Sequence, residues 1–237
     1  MCGSQSALSL KHEIEAIGAA AIVCRADISK KSEVDDMFNH IESSLGPVAV
    51  LVNNAGIQIP GSAWVNPEAT WDEVIRTNLI GPMFCMQSAF AKMAPRKKGA
   101  IINITSIHDE LPKPRFSSYA ASKAGLWGLT TTLALELAPF HIRVNAVAPG
   151  VIMTALNPQL GAPEVASQVV AMVPLGRLGT PDDVAQAISY LASERASYIT
   201  GTVLHVDGGY RWAKKSSHGP LVQFDHVLVG TNPEEHT

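Results

Sequence analysis

Two side chains in the segment Tyr119-Ala120-Ala121-Ser122-Lys123 could handle a proton. Helix residues four apart share a face, so this spacing sets a phenol beside an ammonium. A free tyrosine ionises near pH ~10 and is a poor acid or base at neutral pH. A nearby positive charge favours the phenolate and lowers that value, each unit being worth about 1.36 kcal/mol. Such a pair could pass a proton to or from a substrate oxygen. The same spacing also occurs on solvated helix faces, so the pair alone establishes no chemistry. Its neighbours in the chain add to it.

Ser106 precedes the tyrosine and follows the apolar run Ala100-Ile101-Ile102-Asn103-Ile104, with Gly99 in front. A run bounded in this way reads as a buried parallel strand. Ser106 then stands at a carboxyl end, where open α/β sheets place their ligands. Val48-Ala49-Val50-Leu51-Val52 reads as a second strand, running into the small-residue turn Asn53-Asn54-Ala55-Gly56. Ile142-Arg143-Val144-Asn145-Ala146-Val147 is a third, closed by Ala148-Pro149-Gly150. Asn78 falls within a helical stretch over 71–90. Taken singly, Ser106 could be a strand-end turn residue and Asn78 a helix-surface amide.

The other elements follow from periodicity and end signals. Residues 7–17 read as a helix with Leu10, Ile14 and Ile17 on one stripe, and residues 20–25 as a strand ending in Ala26-Asp27-Ile28. Residues 31–45 form an amphipathic helix with Val34, Met37, Phe38 and Ile41 at core spacing, stopped by Gly46-Pro47. Asn66-Pro67-Glu68 starts a long helix toward Met93. Ser117 or Ser118 caps the helix that carries Tyr119, which ends near Pro139. Thr180-Pro181-Asp182-Asp183 starts a helix through about Ala192. There are no internal repeats.

Bulk properties narrow the function classes. A chain of 237 residues, 46% hydrophobic and 16% charged, suits one α/β domain with buried parallel strands. A net charge of −3 leaves no footprint for nucleic acid or an anionic membrane. No apolar stretch reaches the ~18 residues of a span, and no charged-then-apolar leader is present. Cys2, Cys24 and Cys85 are odd in number and widely spaced, which argues against a disulfide frame or a metal site and for a reducing cytoplasm.

Together the motifs resemble the short-chain dehydrogenase/reductase family. The matching residues are Asn53-Asn54-Ala55-Gly56, Asn78, Ser106, Tyr119 with Lys123, Pro149-Gly150 followed by Thr154, and Val206-Asp207-Gly208-Gly209. The resemblance runs from about Ser6 to Trp212. It implies a Rossmann-type doubly wound parallel sheet, with a dehydrogenase domain over 1–212 and a tail over 213–237 that is expected to be disordered. It also implies a gap. Family members open on a strand, a TGxxxGxG turn, a helix and a second strand, and this sequence contains no such turn. The fold is therefore expected to be N-terminally truncated by a first β-α-β unit, about forty residues. The glycine turn anchors dinucleotide phosphates at a helix N-terminus, so weak or absent dinucleotide binding is expected. The residue that selects NAD or NADP is expected to be absent with it.

The resemblance also implies roles. Tyr119 would protonate a carbonyl oxygen as hydride arrives, or act as base in alcohol oxidation. Lys123 would tune it and bond the nicotinamide ribose; Ser106 would hold the substrate oxygen; Asn78 would mark a helix kink and hold a water. Asp27 and Ile28 would meet the adenine, with a helix cap as the plainer role for Asp27. Asn53, Ala55 and Gly56 would lie along the adenosine ribose. Pro149, Gly150, Ile152 and Thr154 would face the nicotinamide of NAD or NADP. His108 could bond a sugar hydroxyl, or be an ordinary loop histidine. The stretch 108–116 is similar to sugar dehydrogenases of the glucose 1-dehydrogenase type, with 3-oxoacyl carrier-protein reductases as the competing type. Residues 154–179 would form a mobile substrate lid. The implied function is an NAD(P)-dependent oxidoreductase acting on a sugar, polyol or keto substrate. It would be a homo-oligomer, dimer or tetramer, with a small-molecule substrate, no metal, and no nucleic-acid or membrane partner. The alternative is a catalytically silent subunit kept for assembly. Residues 221–229 have strand-like character and could cover the edge left bare by truncation.

Overall fold

The computed structural model describes residues 4–111 and 113–215. Pro112 and residues 216–237, with the strand-like run 221–229, lie outside the described residues. The apolar runs pair as β1 (Val50–Asn53), β2 (Gly99–Ile104), β3 (Ile142–Pro149) and β4 (Val203–Val206), in one parallel sheet of order β1-β2-β3-β4. In the register, Leu51 stands beside Ile101 and Ile101 beside Val144.

Parallel neighbours need crossovers, and helices supply them. The helices are α1 (Ser4–Ala16), α2 (Lys31–Leu45), α3 (Glu68–Ile75), α4 (Gly81–Met93), α5 (Ser117–Leu137), α6 (Pro163–Val170), α7 (Pro181–Ala192) and α8 (Tyr210–Lys215). Side chains alternate across a strand, and the alternation sorts the core into two layers. Ile101 and Val144 pack with Val34 and Phe38 of α2, Met86 and Met93 of α4, and Leu126 of α5. Ile102, Ile104 and Val147 pack on the other face against Val184, Ile188 and Leu191 of α7. Helices on both faces of a parallel sheet make this a Rossmann-like α/β fold.

Two buried asparagines cross-link the strands. Asn103 donates to Thr130 Oγ1 (2.9 Å) and accepts from Asn53 Nδ2 (2.8 Å). Asn145 donates to the Ile199 carbonyl (2.9 Å) and accepts from the Thr202 amide (3.1 Å). Each buried polar atom named here is thereby satisfied.

Two expectations fail. Residues 20–25 are not a strand. A strand needs a ladder of backbone partners, and among the described residues no strand lies beside this run. Neither Ser117 nor Ser118 caps α5. Phe116 takes the cap position, directly after Arg115 is held at φ 71°, and both serines lie inside the helix with buried hydroxyls that find no partner. The cap expected at Thr180 is present, with reciprocal bonds between Thr180 and Asp183. Among the described residues no helix is long and apolar enough to cross a membrane.

Candidate active site

The carboxyl ends of β2 and β3, the start of α5 and the loop after β1 converge on a cavity of about 730 Å³. Ser106, Tyr119 and Lys123 all line it. Ser106 is placed by β2 and begins the short 3-10 turn Ile107–Asp109, its hydroxyl accepting from the His108 amide at 3.2 Å. Lys123 is buried, and its ammonium donates to the Ile104 carbonyl at 2.7 Å, which ties α5 to the end of β2. The same ammonium lies 5.7 Å from the Tyr119 ring centroid. The helical spacing read from the sequence therefore does bring phenol and ammonium together.

Asn78 stands behind the cavity rather than in its wall. It is fully buried, at the centre of the π-helical turn Arg76–Ile80 between α3 and α4. Such turns interrupt an α-helix at functional sites more often than elsewhere. Asn78 grips Ile57 on both sides, accepting from its amide and donating to its carbonyl at 2.8 Å each, and it donates to Ser122 Oγ at 3.1 Å. This fixes the chain beside Gly56 against α5. A Cβ at Gly56 would come within 3.4 Å of both Lys123 Nζ and Asn78 Oδ1. The three residues thus meet at one point.

Burial dominates the electrostatics. It pushes the Tyr119 phenol above its ordinary value, with a hydrogen bond from Ser106 pulling down and the Asp109 charge adding to the rise. It lowers the Lys123 ammonium from 10.5 to about 8, with Asp109 acting in the opposite sense. The downward tuning of the phenol expected from the sequence is not what this site shows. A cation that burial is itself discharging is a weak stabiliser of a phenolate, and desolvation of the phenolate wins.

The residues expected to hold the cofactor divide into two groups. Gly56, Pro149, Gly150, Ile152 and Thr154 line the cavity, together with Asn54. Asn53 and Ala55 do not: Asn53 is spent on Asn103 inside the sheet, and Ala55 is exposed. Asp27 and Ile28 are not among its lining residues. Asp27 Oδ1 accepts from the Ser29 amide (3.0 Å) and hydroxyl (2.7 Å), a local turn ahead of α2. Ile28 packs on Gly81, where a Cβ would stand 2.8 Å from Ile28 Cγ1. The residues present therefore fit the nicotinamide end of a dinucleotide. Gly56 leaves open a cradle beside Lys123, and Asn54, Gly150 and Thr154 offer backbone and polar side-chain groups around it. Among the described residues no glycine-rich turn opening a helix meets this cavity.

Sequence reasoning missed several wall residues. Gln58 donates to the Leu156 carbonyl at 2.7 Å and so ties the loop after β1 to the segment 154–170. Lys113 was not missed, since it falls in the stretch 108–116 that the resemblance singles out; it lines the cavity with its ammonium 3.9 Å from the Phe116 ring centroid. Tyr210 also lines it, and a signal for Tyr210 was present in the Asp207-Gly208-Gly209 motif. Asp207 accepts from the Gly209 amide (3.0 Å) and the Arg211 amide (2.9 Å) and so starts α8 at Tyr210. Gly150 is required there, because a Cβ would lie 2.6 Å from Asp207 Cβ. His108 lines the cavity, and its Nδ1 bonds the Leu111 carbonyl at 3.2 Å. A carbonyl only accepts, so Nδ1 carries a proton in this contact.

Comparison with known proteins agrees with this geometry. The family model described as Enoyl-(Acyl carrier protein) reductase matches residues 3–211. The chain is 45% identical over 198 residues to 3beta-hydroxysteroid dehydrogenase 1 of Eggerthella lenta, covering 83% of this chain and 76% of that one. It is 42% identical over 197 residues to the 3-oxoacyl-[acyl-carrier-protein] reductase FabG of Staphylococcus epidermidis, covering 83% and 80%. Its structure superposes with TM-score 0.83 and 31% identity on a gluconate 5-dehydrogenase from Burkholderia cenocepacia in complex with NADP and tartrate, covering 89% and 83%. The chain belongs to the short-chain dehydrogenase/reductase family; it is an oxidoreductase by that membership, with NAD or NADP as its cofactor.

Proposed function

We propose that this short-chain dehydrogenase/reductase reduces a ketone to a secondary alcohol, with Tyr119 as the proton donor. The observation that carries this reading is the half-buried Tyr119 phenol, which lines the cavity with Ser106 and Lys123. Raised above its ordinary value, Tyr119 keeps its proton at neutral pH and can give it up only to a strong base. The oxygen of a carbonyl becomes such a base as negative charge develops on it. Ser106 is the second donor at that oxygen, held by β2 before any substrate arrives. Lys123 supplies positive charge beneath the phenol and would hold the ribose next to the nicotinamide, with Gly56, Pro149, Gly150, Ile152 and Thr154 around the ring. When bound, the dinucleotide supplies the hydride. Asn78 keeps Ile57 and α5 in register and would hold a water behind Lys123.

The substrate is a ketone with an apolar body. Leu156, Leu160, Val165 and Val169 supply apolar wall to the cavity, and Ser106, His108, Lys113, Asn157 and Gln159 supply polar wall. That balance favours the steroid and 3-oxoacyl classes named by two relatives over a sugar or polyol, for which His108 would be the main hydroxyl contact. Residues 154–179, the lid expected from the sequence, would cover the substrate. By its family resemblance the protein is a homo-oligomer, dimer or tetramer, in the cytoplasm. The test is turnover of NADH or NADPH with three ketones: a 3-oxosteroid, a 3-oxoacyl thioester and a keto-sugar. The apolar ketones are expected to give the higher kcat/KM; turnover of the keto-sugar alone would overturn the substrate assignment.

A second reading, a catalytically silent subunit, is favoured by one observation. No glycine-rich phosphate-binding turn stands beside the cavity among the described residues. Titration with NADH and NADPH separates the two readings. Micromolar affinity supports the reductase; absence of binding together with a stable oligomer supports the silent subunit.

A further inference from the structure

Among the described residues, the buried side-chain oxygens with no hydrogen-bond partner are both carboxylate oxygens of Asp109 and the hydroxyls of Ser117 and Ser118. All fall on two elements that pack together: the 3-10 turn Ile107–Asp109 that follows Ser106, and the first turn of α5, which carries Tyr119 and Lys123. Buried polar atoms nearly always find a partner, so a seam of orphans one residue from the acid–base pair calls for an explanation. Thr105 and the Glu110 amide stand near enough to ease the ionisation of Asp109, yet the Thr105 hydroxyl bonds the Val147 carbonyl at 3.3 Å, and neither closes a bond on the carboxylate.

A buried carboxyl without partners either keeps its proton or answers a charge elsewhere. The charged and titratable groups around it are few. On its own turn and just beyond stand His108 and Glu110, and Glu110 is met by Arg211 of α8 at 3.5 Å. Tyr210 of α8 packs against Ile107. From α5 come Tyr119 and Lys123. Lys123 is buried and meets no carboxylate at ion-pair distance; its ammonium is bonded to the Ile104 carbonyl.

We propose that Asp109 is the counter-charge of the reacting pair, a positioning residue that acts through space to keep Lys123 an ammonium and to hold the proton on Tyr119. The proposal rests on the reading that Tyr119 and Lys123 are the reacting pair. Burial lifts Asp109 to about 6, so it is charged at neutral pH and neutral in mild acid. Its charge raises Lys123 against the burial that takes that group down to about 8, and it raises Tyr119 as well. Without it, both groups would lose their protons at lower pH.

The test is an NMR titration of the chain carrying ¹³C-tyrosine and ¹⁵N-lysine, with Tyr119→Phe and Lys123→Met assigning the two signals. Asp109→Asn is expected to move both midpoints downward, and Asp109→Glu to return them toward the wild-type values. Lys123 is already neutral where Tyr119 titrates, so its loss of charge does not mask the shift of the phenol. Unmoved or raised midpoints in Asp109→Asn overturn the proposal. Should the asparagine variant not fold, the wild-type chain decides. An inflection of the Tyr119 and Lys123 signals near pH 6 supports the counter-charge, and its absence overturns it. The titration needs no turnover, so its failure is distinct from failure of the reductase reading, which the ketone assay decides.

Discussion

The two sides of the sheet are held in different ways. On the β2–β3 side, strands are paired on both edges and covered on both faces. Ile101, Ile102, Val144 and Val147 are fully buried there, and Ser106, Tyr119 and Lys123 are set on that frame. On the β1 side, only one neighbour is present. Val50 is 43% exposed and Val52 39%, because α7 covers the middle of the sheet and does not reach the edge. Residues 20–25 gain no ladder at all. The proton-handling groups thus sit on the rigid half and the cradle at Gly56 on the softer half. Besides the β1–β2 ladder and the Asn53–Asn103 bond, Asn78 ties them by locking Ile57 to α5. The difference teaches that the acid–base geometry is fixed by the sheet, while the cofactor side depends on a few specific contacts.

Cavity-forming substitutions sharpen this contrast most. Ile101→Ala is expected to cost about 2–5 kcal/mol, whereas Val52→Ala, on the exposed face of β1, is expected to cost under about 1 kcal/mol. Chemical denaturation of the two variants checks it, and equal losses would erase the distinction. Asn78→Ala tests the tie. It leaves the Ile57 amide and carbonyl unpaired, at about 1–3 kcal/mol, and should raise the dinucleotide Kd more than it lowers the melting temperature of the frame. A Kd equal to that of the wild type would show that the two halves are joined elsewhere.

A third effect is a pH dependence. Lys123 titrates at about 8 in the fold against an ordinary value of 10.5. Between those values the unfolded chain binds more protons, so this group makes stability rise with pH across that window. Lys123→Met removes that contribution and should flatten the rise, read as the denaturation midpoint at pH 8 and pH 10. A slope unchanged in the methionine variant would show that Lys123 is not desolvated in the native state.

Legibility in the sequence followed the same division. Buried parallel strands read as unbroken apolar runs, which is why 100–104 and 142–147 could be placed, and with them Ser106 and the pair on α5. The Thr180 cap was legible because it uses specific residue types at specific offsets, whereas the kink at Asn78 was legible only through the family resemblance. Residues 20–25 have the apolar pattern of a strand, but pattern does not supply a neighbour. Asp109 and Tyr210 were missed for a related reason. Whether a loop carboxyl is buried, or a helix start faces a cavity, depends on which distant elements pack there. Asn53, assigned to the cofactor from its motif, bonds Asn103 on the next strand, a contact that its motif does not announce.

The central claim is that Tyr119 delivers the proton as a ketone is reduced. Its most direct test is the rate of dinucleotide oxidation by a ketone in the wild-type chain and in Tyr119→Phe, with melting measured alongside. The expected result is a loss of kcat of at least about 10²-fold at an unchanged melting temperature. A phenylalanine variant that turns over as fast as the wild type would contradict the account.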